Sequence, residues 1–172
     1  MVMRNAVPTV QIVGYKKTGK TTLVCRLTEQ LADRGLRIGT VKHDGHDFEP
    51  DVPGTDSWKH RRSGAAVTAV VSDRRTAWFE ERTSELDALL VRMSDRADLV
   101  LVEGWKREKY PKLALIQTEE QLSLLDEVSC VVGAASWDVS LRNRVERDCR
   151  LPTFDWDDPK RIADFLMEYT KL

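Results

Sequence analysis

A glycine-rich motif constrains the fold of this chain more than any other stretch of its sequence. The run Gly14-Tyr15-Lys16-Lys17-Thr18-Gly19-Lys20-Thr21 fits the pattern GxxxxGK[ST] at every fixed position. The β-rich run Thr9–Val13 precedes it, and Thr21–Arg34 follows with leucines at helical spacing. A strand, a glycine loop and a helix in this order predict a phosphate-binding loop, because glycines and a helix start present backbone N–H groups to an anion.

The other elements predict an α/β fold. Arg37–His43 is predicted to be the second strand, and the helix between the first two strands makes them parallel. Leu99–Val102 is an apolar run typical of a strand buried on both faces of a parallel sheet. Ala66–Ser72 and Thr76–Glu80 predict a β-hairpin. We therefore expect one nucleotide-binding α/β domain over residues 1–172, P-loop NTPase-like, with a mostly parallel sheet flanked by helices and a hairpin subregion near 66–80.

Weaker signals predict the remaining elements. Helices are predicted over Asp56–Gly64, Ser84–Met93 and Asp158–Tyr169, and strands over Lys112–Ile116 and Val128–Gly133. The first of these helices is expected to begin at an Asp56 or Ser57 cap. The residues before it, Asp44–Asp56, are rich in glycine, proline and aspartate and predict a long functional loop.

The charge balance excludes some classes of partner. The chain has 27 Lys and Arg against 28 Asp and Glu, for a net charge of -1, so we expect neither nucleic-acid nor membrane binding. The first residues, Met1–Val13, lack the apolar core of a signal peptide, and we expect a cytoplasmic protein.

The motif also predicts chemistry. Lys20 is expected to contact the β- and γ-phosphates of a nucleotide, and the Thr21 hydroxyl to ligate Mg²⁺. Glu103 ends the buried Leu99–Val102 run and is expected to hold the metal or its water, the alternative being an ordinary strand-end carboxylate. Gly104 follows it and leaves room for the backbone there.

An acidic loop with two histidines begins where the second strand should end. His43, Asp44, His46 and Asp51 are expected to contact substrate, γ-phosphate or a water on Mg²⁺, at the edge where open α/β sheets bind ligands. The alternative is a zinc or nickel site on the two histidines, although they supply only two ligands. A second anionic group could bind to the four arginines Arg61, Arg62, Arg74 and Arg75. The alternative is that these arginines are simply solvated on the surface.

Three stretches together resemble one family. They are Gly14–Thr22, the segment from Val41 through His46 to Ser57, and Asp98–Gly104. The chain resembles the molybdopterin-guanine dinucleotide biosynthesis protein B (MobB) family. The similarity extends to Ser63–Ala66 and to Leu151–Phe165, which covers nearly the whole chain.

The resemblance implies a GTP-binding homodimer that assists the guanylyltransferase MobA, with molybdopterin as a bound intermediate and with slow GTP hydrolysis at most. It implies that GTP binds at Gly14–Thr22 and that His43–Ser57 faces the phosphates or the pterin. The predicted nucleotide site comprises Gly14, Tyr15, Lys16, Lys17, Thr18, Gly19, Lys20, Thr21, Thr22, His43, Asp44, His46, Asp51, Glu103 and Gly104, of which Thr21 and Glu103 would ligate Mg²⁺.

No catalytic residue is assigned. Fast hydrolysis needs a group that orients water and an arginine worth about 10³–10⁵ in rate, and the sequence identifies neither. The guanine motif NKxD is absent, since Arg144 follows Asn143, and we expect Ala134–Asp138 to contact the base through the backbone and Asp138. Two alternative functions stay open, a small-molecule kinase and a metal-delivery GTPase that uses His43 and His46.

Overall fold

Strands and helices alternate along residues 7–172, which are the residues that the computed structural model describes. The strands are β1 (Thr9–Gly14), β2 (Ile38–Lys42), β3 (Val67–Val71), β4 (Thr76–Glu80), β5 (Leu99–Glu103), β6 (Lys112–Leu115), β7 (Val131–Ser136) and β8 (Thr153–Asp155). The helices are α1 (Lys20–Ala32), α2 (Asp56–Arg62), α3 (Leu86–Met93), α4 (Leu124–Glu127), α5 (Val139–Cys149) and α6 (Pro159–Thr170), with a 3-10 helix over Glu119–Ser123. These residues divide into two compact units, one up to His43 and from Leu90 to Leu172, the other over Asp44–Leu89.

The first unit is built on a parallel sheet of six strands in the order β2-β5-β1-β6-β7-β8. All five pairings are parallel, which confirms the predicted fold class. After β1 the chain runs to one side of that strand, and after β5 it crosses to the other side. The carboxyl end of β1 is therefore the switch point, where sheets of this kind bind ligands.

Apolar side chains of the sheet point to both of its faces, so helices cover both faces. Val10 and Ile12 of β1 belong to a buried cluster with the leucines of α1 and with Leu166 of α6. Val13, one residue further along, belongs to a second cluster that includes Leu141 of α5. Each buried leucine stabilises the unit by about 1.5–3 kcal/mol, so the two clusters fix the helices on the sheet.

The carboxyl-terminal part differs most from the sequence-based prediction. The strand predicted over Val128–Gly133 lies at Val131–Ser136, because Cys130 has a left-handed backbone (φ 59°) that ends the preceding segment. Gly133 lies inside the strand, where a Cβ would lie 3.1 Å from the Phe154 ring. The helix α5 and the strand β8 had no sequence-based prediction.

The second unit contains α2 and the predicted hairpin, which is confirmed as β3 paired antiparallel with β4. The cap of α2 is Thr55, whose hydroxyl accepts a hydrogen bond from the Trp58 N–H at 3.3 Å, so the expected cap at Asp56 or Ser57 is wrong by one or two residues. The Arg61 guanidinium donates to Glu49 at 2.5 Å and to Glu81 at 2.6 Å. It joins the acidic loop to the hairpin.

Across residues 7–172, none of the helices combines the length and the apolar composition that a bilayer crossing requires.

Candidate functional site

The predicted phosphate loop joins β1 to α1 and is tightly closed. Lys17 and Gly19 have left-handed backbones, with φ of 65° and 80°. The buried Thr18 hydroxyl donates to the Tyr15 carbonyl at 2.9 Å. A Cβ on Gly14 would lie 2.6 Å from the same hydroxyl. The loop therefore needs glycine at both of its ends.

The first turn of α1 is open to a ligand. Its cap, Gly19, offers no side chain, so backbone N–H groups of this turn stay free for an anion. The Lys20 ammonium donates to the Tyr15 carbonyl at 2.6 Å. Burial lowers the pKa of Lys20, Glu103 opposes this shift, and the positive charges of Lys106 and Lys42 add to it. The loop thus holds a partly desolvated cation beside further positive charge.

Thr21 and Glu103 meet in the structure as the sequence predicts for a pair that holds a metal. The Thr21 hydroxyl lies 2.8 Å from one carboxylate oxygen of Glu103 and 3.0 Å from the other. Glu103 ends β5, the strand beside β1, in register with Ile12 and with Lys42 of β2. A hydroxyl and a carboxylate are oxygen ligands that Mg²⁺ takes beside nucleotide phosphates.

His43 and Gly104 are in direct contact at the same edge of the sheet. The His43 N–H donates to the Glu103 carbonyl at 2.9 Å, and its ring centroid lies 4.7 Å from that of Trp105. Gly104 has a φ of 99°, and a Cβ there would lie 2.9 Å from the His43 Cβ. Gly104 is required by this close approach of the two backbones.

Gln11 fixes the turn that follows Glu103 and was not identified from the sequence. It is fully buried on β1, and its amide nitrogen donates to the Gly104 carbonyl at 3.2 Å and to the Trp105 carbonyl at 2.7 Å. A glutamine inside an otherwise apolar β1 is the signal that could have identified it, since a buried polar side chain needs a partner.

A tryptophan pair borders the phosphate loop and was also missed. Trp156 is buried, and its ring would lie 3.0 Å from a Cβ on Gly19. The centroid of the exposed Trp137 ring lies 4.3 Å from that of Trp156, and the Arg26 guanidinium lies 4.4 Å from the Trp156 centroid. The buried Trp156 indole nitrogen has no hydrogen-bond partner among the described residues. The alternation of Phe154 and Trp156 with polar residues could have predicted β8 and this ring.

The Asp138 side chain has a structural role. One carboxylate oxygen accepts from the Ser140 N–H at 2.7 Å and from the Leu141 N–H at 3.4 Å, which caps α5. The Ser140 hydroxyl also donates to this oxygen at 2.7 Å, and this bond, followed by the backbone bonds, lowers the pKa of Asp138. One oxygen of Asp138 is thus engaged in the cap, and the expected contact of Asp138 with a base stays a prediction.

The remaining predicted residues, Asp44, His46 and Asp51, belong to the second unit. Asp44 and His46 are exposed. One Asp51 oxygen accepts from the Val52 N–H at 2.8 Å and from the Thr55 hydroxyl at 3.3 Å, inside its own loop. Across residues 7–172, no three His, Cys, Asp or Glu side chains lie together in a group that could hold a metal ion. The described histidines therefore have no third ligand for zinc or nickel.

A parallel sheet, a phosphate loop at its switch point and an acid on the neighbouring strand define a P-loop nucleotide-binding protein. The family model for molybdopterin guanine dinucleotide synthesis protein B, MobB, matches residues 9–137. The chain therefore belongs to the MobB family, as its sequence motifs predict.

Similar proteins agree with this family. The chain is 35% identical over 179 residues to the molybdopterin-guanine dinucleotide biosynthesis adapter protein of Escherichia coli, covering 98% of this chain and 97% of that protein. A crystal structure of Bacillus subtilis MobB matches with a TM-score of 0.78 at 30% identity, covering 94% and 96% of the two chains. HypB from Helicobacter pylori, at 15% identity and a TM-score of 0.55, shares the fold alone, over 96% of this chain and 88% of that one.

We expect Gly104→Ala to destabilise the protein more than Gly35→Ala does. Both glycines have positive φ, but a Cβ on Gly35 meets nothing within 4 Å, whereas one on Gly104 meets His43. Gly35→Ala should cost about 1 kcal/mol from backbone strain. Gly104→Ala should cost a further ~1–3 kcal/mol from the clash. Urea unfolding of the two variants measures this difference, and equal losses would contradict the close contact with His43.

Proposed function

We propose that this protein binds GTP with Mg²⁺ at the Gly14–Thr22 loop and works as an adapter in molybdopterin guanine dinucleotide biosynthesis, assisting the guanylyltransferase MobA. The observation that carries the proposal is the convergence of Lys20, Thr21 and Glu103 at the carboxyl end of β1. The names of the relatives, which describe them as adapter proteins of molybdopterin-guanine dinucleotide biosynthesis, support the role.

The phosphate loop has the three features that a triphosphate requires. Backbone N–H groups at the start of α1 are free of side-chain caps, so they suit phosphate oxygens. The Lys20 ammonium, half-buried and bonded to a carbonyl, exchanges that acceptor for a phosphate of higher charge. Lys16, Lys17, Thr18 and Thr22 complete the loop with local positive charge and backbone donors.

Thr21 and Glu103 fit Mg²⁺ as a donor set. Their side chains already share a hydrogen bond, so a hydroxyl and a carboxylate oxygen are available together. A bound Mg²⁺ would neutralise charge on the β- and γ-phosphates. His43 lies at the same edge of the sheet, and we propose that it contacts the phosphates or the pterin, with Asp44, His46 and Asp51 from the loop.

The base is proposed to be guanine and to lie beside Trp137 and Trp156. Trp156 borders Gly19 of the phosphate loop, so its ring lies near a nucleotide whose phosphates bind there. Trp137 offers an exposed ring for stacking. The guanine preference is supported by the names of the relatives, which specify a guanine dinucleotide.

We propose a low rate of hydrolysis, with retention of the nucleotide as the working state. Arg26 contacts Asp157 at 3.0 Å and the ring of Trp156, so these contacts already occupy its guanidinium. A metal-delivery function is less well supported, because the described histidines lack a third ligand.

Self-association is proposed to use the hairpin. Among residues 7–172, strands β3 and β4 pair with each other and with no further strand, and the hairpin exposes 47%, 71% and 54% of the surfaces of Val67, Val71 and Trp78. A two-stranded sheet is marginal by itself and gains stability when its apolar face is covered. A second copy brings an identical face, which is the geometry of a two-fold dimer.

Lys20→Ala is expected to weaken GTP binding by about tenfold or more, because it removes a charge-assisted contact to phosphate. Calorimetric titration with GTP and then ATP, each with Mg²⁺, measures this, and the wild type should prefer GTP. Lys160→Ala on α6 is the control and should bind as the wild type does. Unchanged affinity in a folded Lys20→Ala protein would overturn the phosphate-binding role of the loop.

Glu103→Gln should raise the Mg²⁺ concentration needed for half-maximal GTP binding by about tenfold, since a neutral amide is a weaker metal ligand than a carboxylate. The amide oxygen can still accept from Thr21, so the loop keeps its shape. Magnesium titrations at fixed GTP give the value. Glu146→Gln, at an exposed position on α5, serves as the control. Identical titrations for both variants would show that Glu103 does not bind the metal and has a structural role.

Val71→Glu should convert a dimer into a monomer, because two buried carboxylates would face each other across a two-fold interface. Sedimentation velocity gives the mass of each form. Val91→Glu on α3 replaces a valine of similar exposure, 70%, and should remain dimeric. A monomeric wild type, or a dimer in all three proteins, would contradict the proposed interface.

A further inference from the structure

The segment that follows β5, Gly104–Tyr110, is held by two fully buried polar side chains. Gln11 donates to the carbonyls of Gly104 and Trp105. From β6, the ammonium of Lys112 donates to the Glu108 carbonyl and to the Tyr110 carbonyl. Burying an amide and an ammonium is costly unless both are bonded. This segment is therefore fixed at each end, and Lys106 lies between the two anchors.

Lys106 lies against the phosphate loop. Its ammonium is 4.3 Å from the centroid of the Tyr15 ring. The ring is itself fixed, because the Tyr15 hydroxyl is bonded to Ser123 at 3.0 Å and to Glu127 at 2.5 Å. The carbonyl of Tyr15 accepts the ammonium of Lys20. Tyr15 thus contacts two ammonium groups, that of Lys20 through its carbonyl and that of Lys106 through its ring face.

The electrostatic surroundings favour an anion between these groups. Lys42 of β2 lies in register with Glu103, and the Lys20 and Lys106 ammonium groups both contact Tyr15, on its carbonyl and on its ring. Three ammonium groups against one carboxylate leave an excess of positive charge at the carboxyl end of β1, in a chain whose net charge is only -1. Like charges held together repel one another unless an anion binds among them.

We propose that Lys106 binds the terminal phosphate of a nucleoside triphosphate and makes the protein distinguish the triphosphate from the diphosphate. This inference rests on the proposed nucleotide binding at the loop. Lys106 follows Glu103 by three residues, so the metal ligand and the proposed phosphate ligand belong to the same turn. Gly104 and Trp105 have left-handed backbones, with φ of 99° and 48°, and turn the chain back toward β1.

A charged phosphate is a stronger partner for this ammonium than the ring it now faces. The cation–π contact with Tyr15 is weak where water reaches it, and Lys106 is only half-buried. A phosphate oxygen would accept a charge-assisted hydrogen bond. The side chain can exchange one partner for the other without unfolding the segment, since Gln11 and Lys112 hold the backbone.

The test compares the affinities of GTP and GDP, each with Mg²⁺, for wild type and Lys106→Met by calorimetry. Methionine keeps the length of the side chain and removes its charge. We expect Lys106→Met to weaken GTP binding by about tenfold and GDP binding by less than about twofold, because only GTP carries the terminal phosphate. Lys106→Arg should retain most of the preference. Lys109→Met, an exposed lysine of the same segment, is the matched control.

Equal losses for GTP and GDP, or no loss for either, would overturn the inference while leaving the proposed function intact. A wild type that binds neither nucleotide would overturn both. Because a variant can misfold, amine acetylation of the wild-type chain, followed by peptide mass spectrometry, provides a second test. GTP should slow acetylation of Lys106 several-fold relative to GDP and leave Lys109 unchanged, and equal rates at Lys106 would overturn the inference.

Discussion

A single buried amide holds the edge of the sheet on which the candidate site depends. Gln11 has no exposed surface, and its nitrogen donates to the carbonyls of Gly104 and Trp105. Without it, two carbonyls beside an apolar strand would lose their donor, which costs more than a hydrogen bond normally contributes. The same contacts set the position of Glu103 relative to β1 and allow the close approach of His43. One polar residue in the core therefore holds the backbone that follows Glu103, the proposed metal ligand.

Partners within the chain occupy the side chains of the proposed nucleotide site. Lys20 donates to the carbonyl of Tyr15, and the Thr21 hydroxyl donates to Glu103. These bonds keep the Lys20 and Thr21 side chains ordered, because each of the two has a partner. The proposed nucleotide and metal would compete with these bonds, so a ligand of high charge would be needed to displace both. A dense negative charge, such as a triphosphate with Mg²⁺, meets this requirement.

The local parts of the fold and site could be predicted from the sequence, and so could the meeting of Thr21 with Glu103, but the other long-range contacts could not. The loop between β1 and α1, the apolar run of β5 and the hairpin each have a signal within one short stretch. The helix α5 lacked one because its charged residues hide a narrow apolar stripe of Leu141 and Val145. Trp156 and Lys106 approach the loop from segments distant in the sequence, and only the strand order brings them there.

The choice of lysine at the phosphate loop bears on what the bound nucleotide does. An ammonium is a compact charge that stabilises the bound triphosphate, whereas rapid hydrolysis needs a positioned water and a cation matched to the transition state. The proposed site has three such compact ammonium charges, on Lys20, Lys42 and Lys106. The nearby Arg26 is already paired with Asp157. We infer that the site favours retention over turnover. A long-lived bound state suits the proposed adapter role, since a partner can recognise it before the nucleotide is lost.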